Sequence, residues 1–266
     1  HEYLPALGKQ CVFLAPESYR KNFQEIIAGL QSSEAPVEIL FIETPANPTL
    51  TVWDIKVLAN MAHEHGILVV VDGTFATPYN QRPLELGADL VIHSLTKYLC
   101  GNGTTLGGAV IGSPQHIQAI KHRMRTEGGH MHPMAAWLIQ LGLQTFALRM
   151  PRHDTNAGMV AQLLSLRKHR DKIAKVYYPG LLADPGHEIA KEQMRTPEGP
   201  CGFGGMVSFE LSREKWVQPF AEFLANNTFI ELAVSLGSTS STFSVPARQI
   251  HSALPSPQRN AMGIRD

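Results

Sequence analysis

Short apolar runs at residues 37–42, 67–71, 90–92 and 105–111 alternate with stretches whose apolar positions recur at helical spacing, such as 52–65. Runs this short read as buried strands, and strands alternating with helices predict a largely parallel sheet covered on both faces. In open α/β sheets ligands bind beyond the carboxyl ends of the strands. The residues that follow each strand therefore carry most of the functional information. A further strand is expected at 11–14 and a helix at 19–30. Ser113 is placed to cap a helix reaching about 125, ended by Gly128-Gly129, and a long helix follows from Pro133. A proline inside a helical pattern removes a hydrogen bond and kinks or ends the helix, so Pro151 marks the domain boundary. It divides a larger α/β domain, 1–150, from a smaller α+β domain, 151–266. The latter is predicted to hold helices at 156–166 and 213–226, strands near 173–178, 206–211 and 230–234, and a Ser/Thr-rich loop at 237–243.

Two strand ends stand out. The run at 67–71 leads into Asp72-Gly73-Thr74-Phe75, and the run at 90–92 into His93-Ser94-Leu95-Thr96-Lys97. A carboxylate and an amine on one sheet edge suit an aromatic aldehyde cofactor. The amine condenses with the aldehyde, and the carboxylate keeps a ring nitrogen protonated so that the ring withdraws electrons. Pyridoxal phosphate fits that description. Lys97 could then anchor the cofactor and shuttle protons, while Ser94 and Thr96 meet the phosphate. Taken singly each residue has a plainer reading. A lysine after a strand is usually solvated, an aspartate there is often a turn former, and the hydroxyls suit an ordinary turn. Their conjunction is what points to the cofactor.

The motifs Glu43-Thr44-Pro45-Ala46-Asn47-Pro48-Thr49, Val71-Asp72-Gly73-Thr74-Phe75-Ala76-Thr77-Pro78-Tyr79 and His93-Ser94-Leu95-Thr96-Lys97-Tyr98 occur in that order. With weaker similarity through Ala233-Val234-Ser235-Leu236-Gly237, the whole chain resembles the cysteine and methionine metabolism enzymes that use pyridoxal phosphate. That group includes methionine gamma-lyases, cystathionine gamma-synthases and lyases, and homoserine-ester sulfhydrylases. The resemblance implies a fold-type I, aminotransferase-like α/β architecture. It implies that Lys97 is the covalent anchor and general acid/base, that Asp72 pairs with the ring nitrogen, and that Ser94 and Thr96 hold the phosphate. It also places Thr74 beside the ring, Asn47 near the ring oxygen and substrate carboxylate, and Ser235 beside that carboxylate. Gly73 stands where the family usually has asparagine, and Asn102 where histidine is common. The implied chemistry is γ-elimination or γ-replacement on methionine, cystathionine or homoserine-ester type amino acids, in a homodimer or homotetramer. A homoserine-ester sulfhydrylase and a noncatalytic partial subunit are the alternatives, with a nucleotide-binding oxidoreductase as an outside reading of the sheet. Relatives carry a preceding segment with phosphate-binding amides and a stacking tyrosine, and a following strand with a carboxylate-gripping arginine. The chain is expected to be a central and C-terminal portion that binds the cofactor more weakly than a complete relative.

Composition narrows the partners. With 23 acidic against 23 basic residues the chain has no net field to attract nucleic acid or a membrane surface. The longest apolar run is far too short to span a bilayer. Cys11, Cys100 and Cys201 are few and scattered, which argues for a reducing, cytoplasmic compartment over a disulfide framework. His63-Glu64-His65 and His130-Met131-His132 lack metal-ligand spacing, so no metal is expected. The glycine-rich stretches at 101–103 and 201–205 read as turns, and Cys100 as a buried structural cysteine.

Overall fold

The computed structural model describes residues 8–14, 16–32, 36–199, 201–226, 229–249 and 259, the side chains of 16–21 excepted. Residues 1–7 of the expected larger domain and most of the last residues of the smaller one lie outside that set. A four-stranded sheet runs in the order β1 (Ile39–Glu43), β2 (Leu68–Asp72), β3 (Leu90–Ser94), β4 (Gly108–Gly112). The first three strands are parallel, and β4 closes the edge antiparallel to β3.

One face of this sheet carries Ile42, Val69, Val71 and Val91. It is sealed by α1 (Pro16–Gln31), through Phe23 and Ile27, and by α2 (Ile55–His63). In α2 the buried residues Ile55, Leu58, Ala59 and Ala62 form one helical stripe, and Asp54 starts the helix by accepting the Val57 N–H at 3.0 Å. Each fully buried aliphatic side chain contributes about 1.5–3 kcal/mol. A one-residue slip would turn the valines outward, so this core fixes a register in which Glu43 lies opposite Asp72, and Asp72 opposite Ile92. On the other face Val70 is buried, while Ile39 and Phe41 of the edge strand β1 are 52% and 58% exposed.

Beyond the short helix α3 (Thr77–Asn80), three longer helices follow the sheet: α4 (Pro114–Glu127), α5 (Pro133–Leu143) and α6 (Phe146–Leu164). Strand β5 (Ile173–Tyr177) pairs antiparallel with β6 (Ser208–Leu211). Between them lies α7 (His187–Gln193), which the sequence pattern did not announce, and after them α8 (Val217–Ala225). Strands β7 (Ile230–Leu232) and β8 (Ser241–Phe243) pair parallel, so the Ser/Thr-rich segment is partly strand.

Two other expectations fail for identifiable reasons. Residues 11–14 form no strand, and Val12 and Phe13 are exposed. The helix predicted from 156 begins at Phe146 and runs straight through Pro151. Proline there leaves the carbonyl of Ala147 without its usual partner, but Ala147 is exposed to solvent. The buried stripe Met150, Ala157 and Ala161 holds the helix together across it.

Candidate active site

The carboxyl ends of β1, β2 and β3 bring the expected groups to one edge. Asp72 ends β2, where its Oδ1 accepts the Thr74 N–H at 2.9 Å. Thr74 in turn accepts the Ser94 N–H on Oγ1 at 2.9 Å, which ties the end of β2 to the end of β3. Glu43 ends β1 directly beside Asp72. Burial, the Asp72 charge and, opposing both, an N–H from Asn47 leave the Glu43 carboxyl pushed up to about 7. His93 is buried beneath the same edge. Desolvation holds its imidazole below the usual histidine range, against the pull of Asp72 and a backbone bond to Gly73. Glycine at 73 is what makes room for it, since a Cβ there would lie 2.8 Å from His93 Cε1.

Lys97 follows β3 on a wide turn, Leu95–Leu99, in which the Cys100 N–H reaches back five residues to Leu95 O at 2.9 Å. Such turns are rare and recur at functional sites. Lys97 itself breaks from helical geometry (φ −89°, ψ −130°), and its Nζ donates to Ser235 Oγ at 3.0 Å. Partial burial pulls its ammonium pKa down. The Ser235 segment is pressed onto this turn. Leu236 packs against the cluster of Tyr79, Tyr98 and Met150, and Gly237, at φ +84°, comes so near that a Cβ would lie 2.4 Å from the Tyr98 nitrogen. From the other side Arg149 clamps the turn, donating to Tyr98 O at 2.8 Å and to Gly142 O at 3.0 Å.

Of the residues expected from sequence, the structure thus brings Asp72, Thr74, Ser94, Thr96 and Lys97 to one sheet edge and sets Ser235 against Lys97. Asn47 lies in the loop after β1, its backbone N–H on Glu43. The donor set fits pyridoxal phosphate, with a desolvated amine for the aldehyde, a carboxylate for the ring nitrogen and two hydroxyls for the phosphate. Thr96 accepts the Gly107 N–H at 2.9 Å and donates to Gly107 O at 3.3 Å. Glu43, His93 and Arg149 were not assigned roles from sequence. Glu43 had a signal, being the last residue of a strand that pairs with β2; Arg149 had none, because the turn carbonyl that it clamps, Tyr98 O, lies 51 residues earlier in the chain. The plainer reading holds for Cys100, which is buried with its thiol on Asn102, and His63 binds Asp89 Oδ2 at 2.9 Å. Among the described residues no group of three or more His, Cys, Asp or Glu side chains is placed to hold a metal ion. No helix there is long and apolar enough to cross a membrane.

Comparison with known proteins joins these observations. The family model for the Cys/Met metabolism PLP-dependent enzyme matches residues 11–266. Cystathionine beta-lyase of Lactococcus lactis subsp. cremoris is 43% identical over 228 residues, 85% of this chain and 57% of that protein. L-methionine gamma-lyase of Fusobacterium nucleatum subsp. polymorphum is 43% identical over 248 residues, 92% of this chain and 59% of that protein. The crystal structure of cystathionine gamma synthase from Xanthomonas oryzae pv. oryzae in complex with cystathionine superposes with a TM-score of 0.88 at 34% identity. It covers 100% of this chain and 64% of its own. The chain thus spans less than two thirds of the length of each relative. The fold-type I reading stands, and the oxidoreductase alternative falls. The chain belongs to the family of pyridoxal-phosphate-dependent enzymes of cysteine and methionine metabolism.

Proposed function

We propose that this chain is the lysine-bearing part of a pyridoxal-phosphate-dependent carbon–sulfur lyase or transferase. Its substrates are methionine, cystathionine or homoserine-ester type amino acids, and its reaction is γ-elimination or γ-replacement. The observation that carries the reading is the convergence of Lys97, Ser235 and Asp72 on one sheet edge in a member of this family. When bound, the cofactor supplies an electron sink for negative charge at the substrate's α-carbon. Lys97 moves the protons. Desolvation brings its amine nearer to neutrality, so Nζ can take the α-proton and deliver it elsewhere on the substrate. Ser235 orients that amine and, with Asn47, meets the substrate carboxylate. Asp72 holds the ring nitrogen's proton, with Thr74 fixing the carboxylate, and Ser94 and Thr96 bind the phosphate.

In this reading residues 1–150 are the cofactor-binding domain and 151–266 the smaller domain, in a cytoplasmic homodimer or homotetramer. All of the described cysteines, Cys11, Cys100 and Cys201, are free, which supports a reducing compartment. The test is to load the protein with pyridoxal 5′-phosphate, add L-cystathionine or L-methionine, and follow thiol and keto-acid release with the visible spectrum. A spectral response to these amino acids is expected. A protein that takes up the cofactor yet responds to none of them contradicts the assignment of substrate class.

A further inference from the structure

Glu43 is a titratable group at the sheet edge that the mechanism above leaves unused. It ends β1 in register with Asp72 at the end of β2, and neighbouring strands lie only about 4.8 Å apart. Both side chains point to the same face, because register partners in a parallel pair share a face. Each carboxyl is held by one backbone donor, Asn47 N–H on Glu43 and Thr74 N–H on Asp72. The charged group whose field reaches Glu43 is Asp72; from β3, His93 acts on Asp72. No cation of the described residues acts on Glu43. Two half-buried carboxylates this close do not both ionise readily unless a positive charge joins them.

We propose that Glu43 and Asp72 form an acid pair that holds one proton, on Glu43, until a cationic ring docks against Asp72 and drives that proton off. The inference rests on the cofactor reading of the site and deepens it. On loading, the Glu43 O–H bond breaks, its electron pair stays on the carboxylate, and the proton leaves for water. The site then presents two negative charges to one positive ring. Burial first and the Asp72 charge second push the Glu43 carboxyl up to about 7, which places the proton of the pair on Glu43 before loading.

The probe is carbon-13 label at glutamate side-chain carboxyls, with the Glu43 resonance assigned by its loss in Glu43→Gln, a neutral mimic of the protonated acid. In the cofactor-free protein Glu43 should inflect near pH 7, and in Asp72→Asn it should move down by about one unit. If Glu43→Gln does not fold, Glu43→Asp supplies the assignment, since it removes the labelled glutamate carboxyl while keeping an acid at the site. Adding pyridoxal 5′-phosphate at pH 6 should move the resonance to the carboxylate position. Glu43→Gln should bind the cofactor about tenfold more weakly, the equivalent of one pKa unit. An ordinary inflection near 4.5 in the free protein overturns the pair. So does a resonance that stays protonated while borohydride still reduces the cofactor onto Lys97. Failure to label Lys97 instead overturns the cofactor reading, and the free-protein titration still decides the pair by itself.

Discussion

Two clusters in this molecule contain a carboxyl group shifted upward by burial, and they solve the problem differently. Asp154, on α6, is pushed up to about 6 by burial and is held by two donors: Asn80 Nδ2 at 3.0 Å and the Gly204 N–H at 2.7 Å. Glycine at 202 and 204 belongs to that closure, since a Cβ on Gly202 would lie 2.1 Å from Asn80 Oδ1. Glu43 is pushed up to about 7 by burial and by a second carboxylate, and no cation of the described residues compensates it. The first arrangement joins α3, α6 and the loop before β6 into one body. The second sets two carboxyl groups side by side at the ligand edge of the sheet. A shifted pKa alone does not mark function; a shift caused in part by a second carboxylate at the ligand edge of the sheet makes Glu43 the better candidate.

The largest expected break concerns Lys97. Lys97→Ala should eliminate reducible cofactor attachment altogether while leaving the fold intact, as read by labelling and circular dichroism together. Next is the structural cluster. Asp154→Ala leaves the Asn80 amide and the Gly204 N–H unpaired and should lower stability by about 2–4 kcal/mol in urea unfolding, without moving the Glu43 titration. A smaller and pH-dependent effect distinguishes the two carboxyls. Between pH 4.5 and about 7 the folded chain keeps a proton on Glu43 that the unfolded chain has lost, so this group's contribution to stability falls as pH rises through that window. Unfolding free energy of the unsubstituted protein relative to Glu43→Gln should therefore decline across it by up to about 3 kcal/mol. The smallest is Thr74→Val, which removes the acceptor for the Ser94 N–H; it should cost about 1 kcal/mol and weaken cofactor binding by loosening β2 from β3.

The legible part of the site was local. Lys97, Ser94 and Thr96 follow one strand, and Asp72 and Thr74 another, so hydrophobic runs plus the residues beyond them located the edge. Ser235 was reached only through family likeness, because its contact with Lys97 depends on Gly237 lying across the Tyr98 backbone. The helix through Pro151 was misread because a local rule for proline competes with a buried stripe that becomes visible only in three dimensions. The Arg149 clamp and the Asn80–Asp154–Gly204 cluster pair residues far apart in sequence, and no local pattern announces them.

The most direct test is to reduce the cofactor-treated protein with borohydride and map the labelled peptide. The account predicts a single modified residue, Lys97, within the peptide that follows β3, and its absence when Lys97 is replaced. Label spread over surface lysines, or concentrated on another lysine with Lys97 unmodified, would contradict it.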